Sequence, residues 1–526
     1  MKKLFTFLTL ISAMSIVLPV SAQTVPVIQH SQLYGGSADD HSGNVVETPD
    51  KGFLIGGWVQ SNDGQVVGYH GGTSDAWAIK VDSIGNFLWG RAIGGTADDN
   101  INAVAITATD YIVGGNSLSI DGDFATVSQP TLTGYDIGFV AWLEPANGNI
   151  KKMKSFHGDQ AGNIKSIVAL SNGHLVILGR MIGNGITKHV WVAELDTAGN
   201  IIWSKNYGGA STTTEEMPMT ITQTKTGGYI VSAQTNGTTG DVYGLHGTED
   251  VWLLNINDTG KIMWAKCFGG SAGQGPYGVS TTDDGGFICA AYTTSNDGQV
   301  SGLHGGMDYW AFKTDDTGKI IWSKTFGGTA DDFVFAMHGT CDNGVVISGH
   351  TQSTDGDITN AKGLYDIFVV RLDSNGNKAW ANNYGSTGQD FEGFISTDRE
   401  NGFVLVGHTG TTDHDVSGTA HGSGDIWFAK LCNDGMQDDC TPSSISTSTL
   451  SKQILIYPNP AKDKLIIENS IIGSKVIIYN MLGQELYNTS VNSDQQTIWM
   501  NMLPNGTYIL HTDHETLHTN TIIVKE

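Results

Sequence analysis

A chain of 526 residues with 53 acidic and 28 basic side chains carries a formal charge of −25, and repulsion from phosphates argues against nucleic acid as a partner. With 69 glycines and only 15% charged residues it is turn-rich, yet long enough to bury a sizeable core. Beyond the N-terminal leader no run is long and apolar enough for a transmembrane helix.

Met1-Lys2-Lys3, an apolar stretch to Val20 and the small residues Ser21-Ala22 read as a secretory signal peptide over residues 1–22, cleaved between Ala22 and Gln23. No cysteine follows that site, which argues against a lipid anchor. The mature chain is expected in the periplasm and then outside the cell.

From residue 23 to 440 the chain repeats. A strand-like run ending in a glycine pair, or a worn version of one, recurs at Gly35, Gly94, His157, Gly208, Gly269, Gly327 and Gly385, 51 to 63 residues apart. The cleanest copy continues from Gly269 through the apolar run Gly286 to Ala291, Ser295-Asn296-Asp297-Gly298, His304-Gly305-Gly306, Asp308-Tyr309-Trp310, Lys313, Asp315, Gly318 and Trp322. Apolar and polar positions alternate between Gly, Asp and Asn clusters, giving about four short strands per unit. Four-stranded units in series make a β-propeller. The seventh copy stops after Lys430, with Cys432 where the others place an aspartate, and lacks its fourth strand. Val27 to Tyr34 has the form of a fourth strand without its first three. The N-terminal strand is therefore expected to complete the last blade, closing a seven-bladed ring with no exposed sheet edge.

Tryptophans recur at two places in the unit, as at Trp77, Trp191, Trp252, Trp310 and Trp427, and at Trp89, Trp203, Trp264, Trp322 and Trp380. They read as packing between blades rather than as sugar-stacking surfaces. The third copy is the most worn, with His157-Gly158 at the glycine pair and His189 before Trp191.

Strand alternation puts two loops of each unit on one face: the loop after the glycine pair and the loop between the second and third strands. The first set carries Asp39, Asp40, Asp98, Asp99, Asp331 and Asp332, and the second Asp355 and Asp357, with further acids in the other copies. Together they form an acidic ring around one channel mouth, with His70, His246, His304 and His421 nearby. Carboxylates and loop carbonyls are hard oxygen ligands suited to Ca²⁺, and Asp-Gly-Asp puts two carboxylates on one turn. The plainer reading is that these aspartates shape turns by bonding nearby backbone. No three histidines are brought together by sequence, so zinc has no pattern here.

The unit's Gly-Gly-Ser/Thr, Ser-x-Asp-Gly, Asp-x-Trp, Lys-x-Asp-x-x-Gly and Trp resemble the seven-bladed β-propeller repeats abbreviated SBBP, over roughly residues 25–435. The portion from Asp315 to Trp322 is also similar to the docking motif of pyrroloquinoline quinone dehydrogenases, where it locks blades together. Their cofactor and calcium constellation has no counterpart in this sequence.

Residues 441–452 form a Ser/Thr-rich linker, after which the repeat vanishes. Residues 453–526 show Ile456-Tyr457-Pro458-Asn459-Pro460, Leu465 to Glu468, Val476 to Asn480, Leu482-Gly483, Leu503 to Tyr508 and Ile522 to Lys525. This reads as a small antiparallel β-sandwich with turns at Pro-Asn-Pro and Pro-Asn-Gly. It closely resembles the type A C-terminal sorting domain of type IX secretion substrates. The resemblance implies the type IX machinery as partner, passage through the outer membrane, removal of the domain, and release or attachment to surface lipopolysaccharide.

Cys432 and Cys440 bracket a short segment after the last propeller strand, and in an oxidising compartment they are expected to form a disulfide. Cys267, Cys289 and Cys341 are expected to be unpaired. No G-x-S-x-G elbow, H-E-x-x-H, P-loop or dinucleotide fingerprint stands in a supporting context. Paired carboxylates occur in every blade, so none is singled out for glycoside hydrolysis. The expectation is a secreted or cell-surface binding or adhesion module for an extracellular glycan or protein ligand. The alternative is a propeller hydrolase or lyase that degrades extracellular polysaccharide.

Overall fold

The computed structural model describes residues 25–432, apart from 129–134, 158–160, 183–188, 212–213 and 401. In the C-terminal region it describes 455–457, 462–468, 475–480, 484–491, 495–501, 503–514 and 517–525. The cleavage site expected at Ala22 and Gln23, the linker, and Cys440 lie outside the described residues. The chain divides into one unit up to Cys440 and another from Thr441.

Among the described residues, the first unit contains seven four-stranded antiparallel sheets, the blades of a propeller. Blade 1 runs through Asp40–Glu47, Phe53–Val59, Asp75–Val81 and Phe87–Ile93, paired in chain order. Blade 3, despite its worn motif, still forms four strands from Ala161–Ala169 to Ile201–Tyr207. Blade 7 takes three strands, Asp390–Thr397, Phe403–Thr409 and Asp425–Leu431, and receives Ile28–Tyr34 as its fourth. Leu33 lies opposite Trp427 and Ser31 opposite Ala429 in that closing pair.

Burial follows strand position. The third strands, such as Asp308–Thr314, are buried on both faces between neighbouring blades and so read as nearly continuous apolar runs. The outer fourth strands, such as Ile320–Phe326, alternate between exposed and covered residues. First strands of successive blades touch one another around the ring and line the channel. Most of them bulge where they do so, as between Val334 and Ala336.

Both tryptophan sets pack blades. Trp77, Trp252, Trp310 and Trp427 are fully buried within the blade stack. The second set reaches into the next blade: Trp264 Nε1 donates to the Asp316 carbonyl at 2.9 Å, and its ring lies against Gly318. Trp322 does the same with Ser374, at 3.2 Å, and Gly376. Gly318 has φ +77° and a Cβ there would meet the indole, so glycine is required twice over.

The expected bridge between Cys432 and Cys440 is not formed, because Cys432 is a free thiol. Its N–H donates to the Val27 carbonyl at 3.1 Å and its sulfur accepts the Val27 N–H at 3.2 Å. The residue is thus spent on extending the closing strand pair. Cys341, expected to be unpaired, is disulfide-bonded, while Cys267 and Cys289 are buried free thiols. Burial pushes the Cys267 thiol up to about 12, which keeps it protonated and inert.

The second unit has a three-stranded sheet, built from Leu455–Tyr457, Lys464–Glu468 and Gln495–Trp499, and a four-stranded sheet. The latter contains Lys475–Asn480, Glu485–Ser490, Gly506–His514 and Leu517–Lys525. Leu465, Ile467 and Ile498 from the first sheet meet Val476, Ile478, Tyr508 and Leu510 from the second in one core, which makes the unit a sandwich.

Candidate functional site

The glycine-pair loops of six blades expose consecutive backbone N–H groups, and side chains of the same blade satisfy them. In blade 6, Gly327 N–H donates to Asp357 Oδ2 at 3.2 Å, Gly328 to Asp332 Oδ2 at 2.8 Å, Thr329 to Asp355 Oδ1 at 2.8 Å and Ala330 to Ser353 Oγ at 3.0 Å. Blade 5 makes the same cradle with Gln299, Gln274, Asp297 and Ser295. Blade 1 uses Gln65, Asp40, Asp63 and Ser61. Amides thus replace carboxylates at two of these places, so the work done there is acceptance of a backbone N–H. Asp99 likewise binds Gly95 N–H, at 2.9 Å. Asp331 accepts the Met307 N–H at 3.0 Å, and Asp98 is exposed.

A second recurrent acid, the first residue of the third strand in five blades, faces this cradle across the seam. A Cβ on Gly327 would come within 2.5 Å of Asp332 Oδ2 and 2.9 Å of Asp308 Oδ1. Gly35 lies in the same way between Asp40 and Asp425, Gly94 between Asp99 and Asp75, and Gly385 between Asp390 and Asp366. Burial pushes the Asp99, Asp332 and Asp390 carboxyls up to about 6, and the acids opposite add to the rise. The recurrent histidines belong here as well: His70, His246 and His304 bond Asp75, Asp250 and Asp308 through Nδ1 at 2.7 to 2.8 Å.

The channel itself opens into a cavity of about 730 Å³ lined by first-strand residues and by the ends of the second strands. One position of the repeat stands out there. The second strands read FLIGGWV, YIVGGNS, LVILGRM, YIVSAQT, FICAAYT, VVISGHT and FVLVGHT, buried through their first five residues and most diverse in chemistry at the sixth. That residue is Trp58, Asn116, Arg180, Gln234, Tyr292, His350 and His408 in turn. Trp58, Arg180, Gln234 and Tyr292 line the cavity directly. Gln234 Nε2 donates to Tyr292 OH at 2.8 Å and to Glu249 Oε2 at 2.7 Å, while Asn102 Nδ2 ties Asn116 to Asn163. The ring residues are therefore held by neighbours before any ligand arrives. The signal was present in the sequence, as the strand position that changes most in chemical type from blade to blade.

The seam between blades 7 and 1 carries a stack of aromatic rings beside paired acids. His41 lies flat between Trp58, at 4.1 Å between ring centres, and His408, at 4.0 Å. Its Nδ1 meets Glu392 Oε1 at 2.9 Å, and Ser42 Oγ donates to Glu392 Oε2 at 2.6 Å. Glu392 sits at φ +68°, an uncommon conformation for a residue with a side chain. Asp39 receives both imidazoles. Burial works against its charge, yet the His408 and His41 hydrogen bonds hold its carboxyl below the usual range.

Residues 455–526 match the family described as a secretion system C-terminal sorting domain. Among curated relatives, β-agarase A of Zobellia galactanivorans is 32% identical over 88 residues, 16% of each chain. The regulatory protein FlaEY of Caulobacter vibrioides is 25% identical over 305 residues, 57% of this chain and 28% of that one. The chain thus spans well under a third of the curated relatives it matches. Similar solved structures include PorZ, a surface component of the type IX secretion system of Porphyromonas gingivalis, at 10% identity over 94% of this chain and 60% of that one, with a TM-score of 0.37. A Dyadobacter fermentans protein of unknown function covers 77% of this chain and 98% of its own, at 10% identity and a TM-score of 0.37. No helix among the described residues is long and apolar enough to cross a membrane. The C-terminal unit is a secretion-system sorting domain, and it directs the chain through the type IX machinery to the cell surface or the extracellular space.

Proposed function

We propose that the propeller, an array of the SBBP kind, is an extracellular binding module whose ligand enters the channel mouth and is read by the ring of second-strand residues. One observation carries this: the most chemically diverse position of the second strands reaches the channel cavity in four blades, with aromatic faces at Trp58 and Tyr292, an amide at Gln234 and a guanidinium at Arg180. Functional residues on a repeat scaffold are those that differ while the scaffold stays the same. Aromatic faces beside amide groups suit an uncharged, hydroxyl-rich ligand, a neutral glycan chain. A glycan array run with the mature propeller tests the proposal. Binding of a neutral oligosaccharide that falls at least tenfold in Trp58→Ala and in Tyr292→Ala, with melting unchanged, supports it. Equal binding by both variants sinks it.

A second reading is an extracellular polysaccharide-degrading hydrolase or lyase. It is favoured by the seam cluster, where Glu392, Asp39 and His41 break the symmetry of the array beside the channel. A reducing-sugar assay on any glycan that binds separates the two, since a binding module releases no ends.

A further inference from the structure

We propose that Asp39, His41 and His408 form a binding site for a divalent transition-metal ion of the zinc class, placed across the seam between blades 7 and 1. Among the described residues this is the one set of three donor side chains whose ligand atoms all lie within 4.8 Å of one another. Asp39 Oδ1 is 2.9 Å from His408 Nε2, and Asp39 Oδ2 is 3.1 Å from His41 Nε2. Tetrahedral zinc with bonds of about 2.0–2.2 Å keeps its donors roughly 3.3 Å apart, so each imidazole already stands near the required spacing from the carboxylate, and the stacked rings tilt for both lone pairs to converge on one ion. The ion takes the place of the protons these atoms share and releases them to solvent.

Three further features single out this seam. A metal-bound imidazole is commonly oriented by a carboxylate on its other nitrogen, and Glu392 does this for His41 at 2.9 Å, itself fixed by Ser42. Gly424 provides the space: a Cβ there would fall 2.1 Å from His408 Nε2 and 2.2 Å from Asp39 Oδ1. The corresponding residue in other blades is Ser74, Glu249, Met307 or Tyr365. Finally, the seam between blades 6 and 7 places Gln389, Phe391 and His350 at the equivalent positions and offers no such set.

The donors differ from those calcium selects. Two imidazoles and one carboxylate suit a borderline ion, whereas Ca²⁺ takes six to eight oxygens. Asp39 is 39% exposed, which leaves the fourth position open to water. Because His408 belongs to blade 7 and Asp39 and His41 to blade 1, a bound ion fastens the ring where the chain does not run continuously from one blade to the next.

The test uses tag-free mature protein stripped with chelator, titrated with Zn²⁺ against a chromophoric competitor, with Co²⁺ as a spectroscopic probe. Expected results are one Zn²⁺ per chain, visible absorption bands from bound Co²⁺, a higher melting temperature in Zn²⁺ than in Ca²⁺, and loss of all three in His408→Gln. Glu392→Gln, which keeps the ligands and removes their support, is expected to weaken binding about 10- to 100-fold. His304→Gln, at another seam, should bind as the wild type does. Melting in chelator checks that each variant is folded. No Zn²⁺ bound by the folded wild-type chain, or undiminished affinity in both His41→Gln and His408→Gln, overturns the proposal.

Discussion

The seam between blades 4 and 5 and the seam between blades 5 and 6 have one geometry and two chemistries. At the first, Asp250 faces Gln274 across Gly269. At the second, Asp308 faces Asp332 across Gly327. Both strand-start side chains accept the N–H of the second glycine of the pair, Gly270 at 3.0 Å and Gly328 at 2.8 Å. Only the acid accumulates buried charge, and burial together with Asp308 pushes Asp332 up to about 6. The acceptor is what the fold requires at that place, and the negative charge is a burden that most seams tolerate.

The most severe way to break the ring acts on a third seam, where blade 7 meets blade 1. Deleting residues 25–34 removes Leu33 and Tyr34, 4% and 1% exposed, along with a whole edge strand. A loss of at least about 4 kcal/mol is expected in denaturant unfolding, and a fully folded truncation would show that closure is unimportant.

Gly327→Ala puts a methyl group between two buried carboxyls and should cost about 2–3 kcal/mol, as should Gly269→Ala at the amide seam. Both can be measured by thermal melting. A tolerated alanine at either site would mean that the two side chains separate more easily than their contacts imply.

Asp332→Asn copies the chemistry of Gln274 and should stabilise the propeller by about 2 kcal/mol at pH 8. The sign follows from proton uptake. A carboxyl whose folded pKa is about 6, above its ordinary value of 3.8, binds a proton in the folded state first. Its contribution to stability is therefore complete below the ordinary value and is lost as pH rises through 6. Melting curves at pH 5 and pH 8 should show the advantage of the asparagine shrinking on acidification. The reverse exchange, Gln274→Glu, should cost about 1 kcal/mol at pH 8 and less at pH 5. A pH-independent difference in either variant would remove charge from the explanation.

Much of this was legible in the sequence because a repeat reports its own errors. The glycine spacing gave the blades, and Cys432 standing where an aspartate belonged pointed to the displaced strand from Ile28 to Tyr34. The acidic loops were visible, but which backbone amides Asp355 and Asp357 accept depends on where the chain folds back, and only coordinates show Thr329 and Gly327 donating to them. The cysteines misled for a similar reason. Nearness along the chain favoured Cys432 with Cys440, whereas strand pairing turned Cys432 toward Val27. The cluster of Asp39, His41 and His408 escaped notice because its members lie at opposite ends of the propeller sequence.

That closing pair also sets a timetable. Ile28 must find Leu431 about 400 positions later in the chain, a separation that makes contact formation slow compared with the local hairpins within each blade. The first strand therefore has no partner until the third strand of blade 7 is available. Ring closure thus waits on the last strand of the propeller, and until then the edge of blade 7 is open to pairing with any other strand.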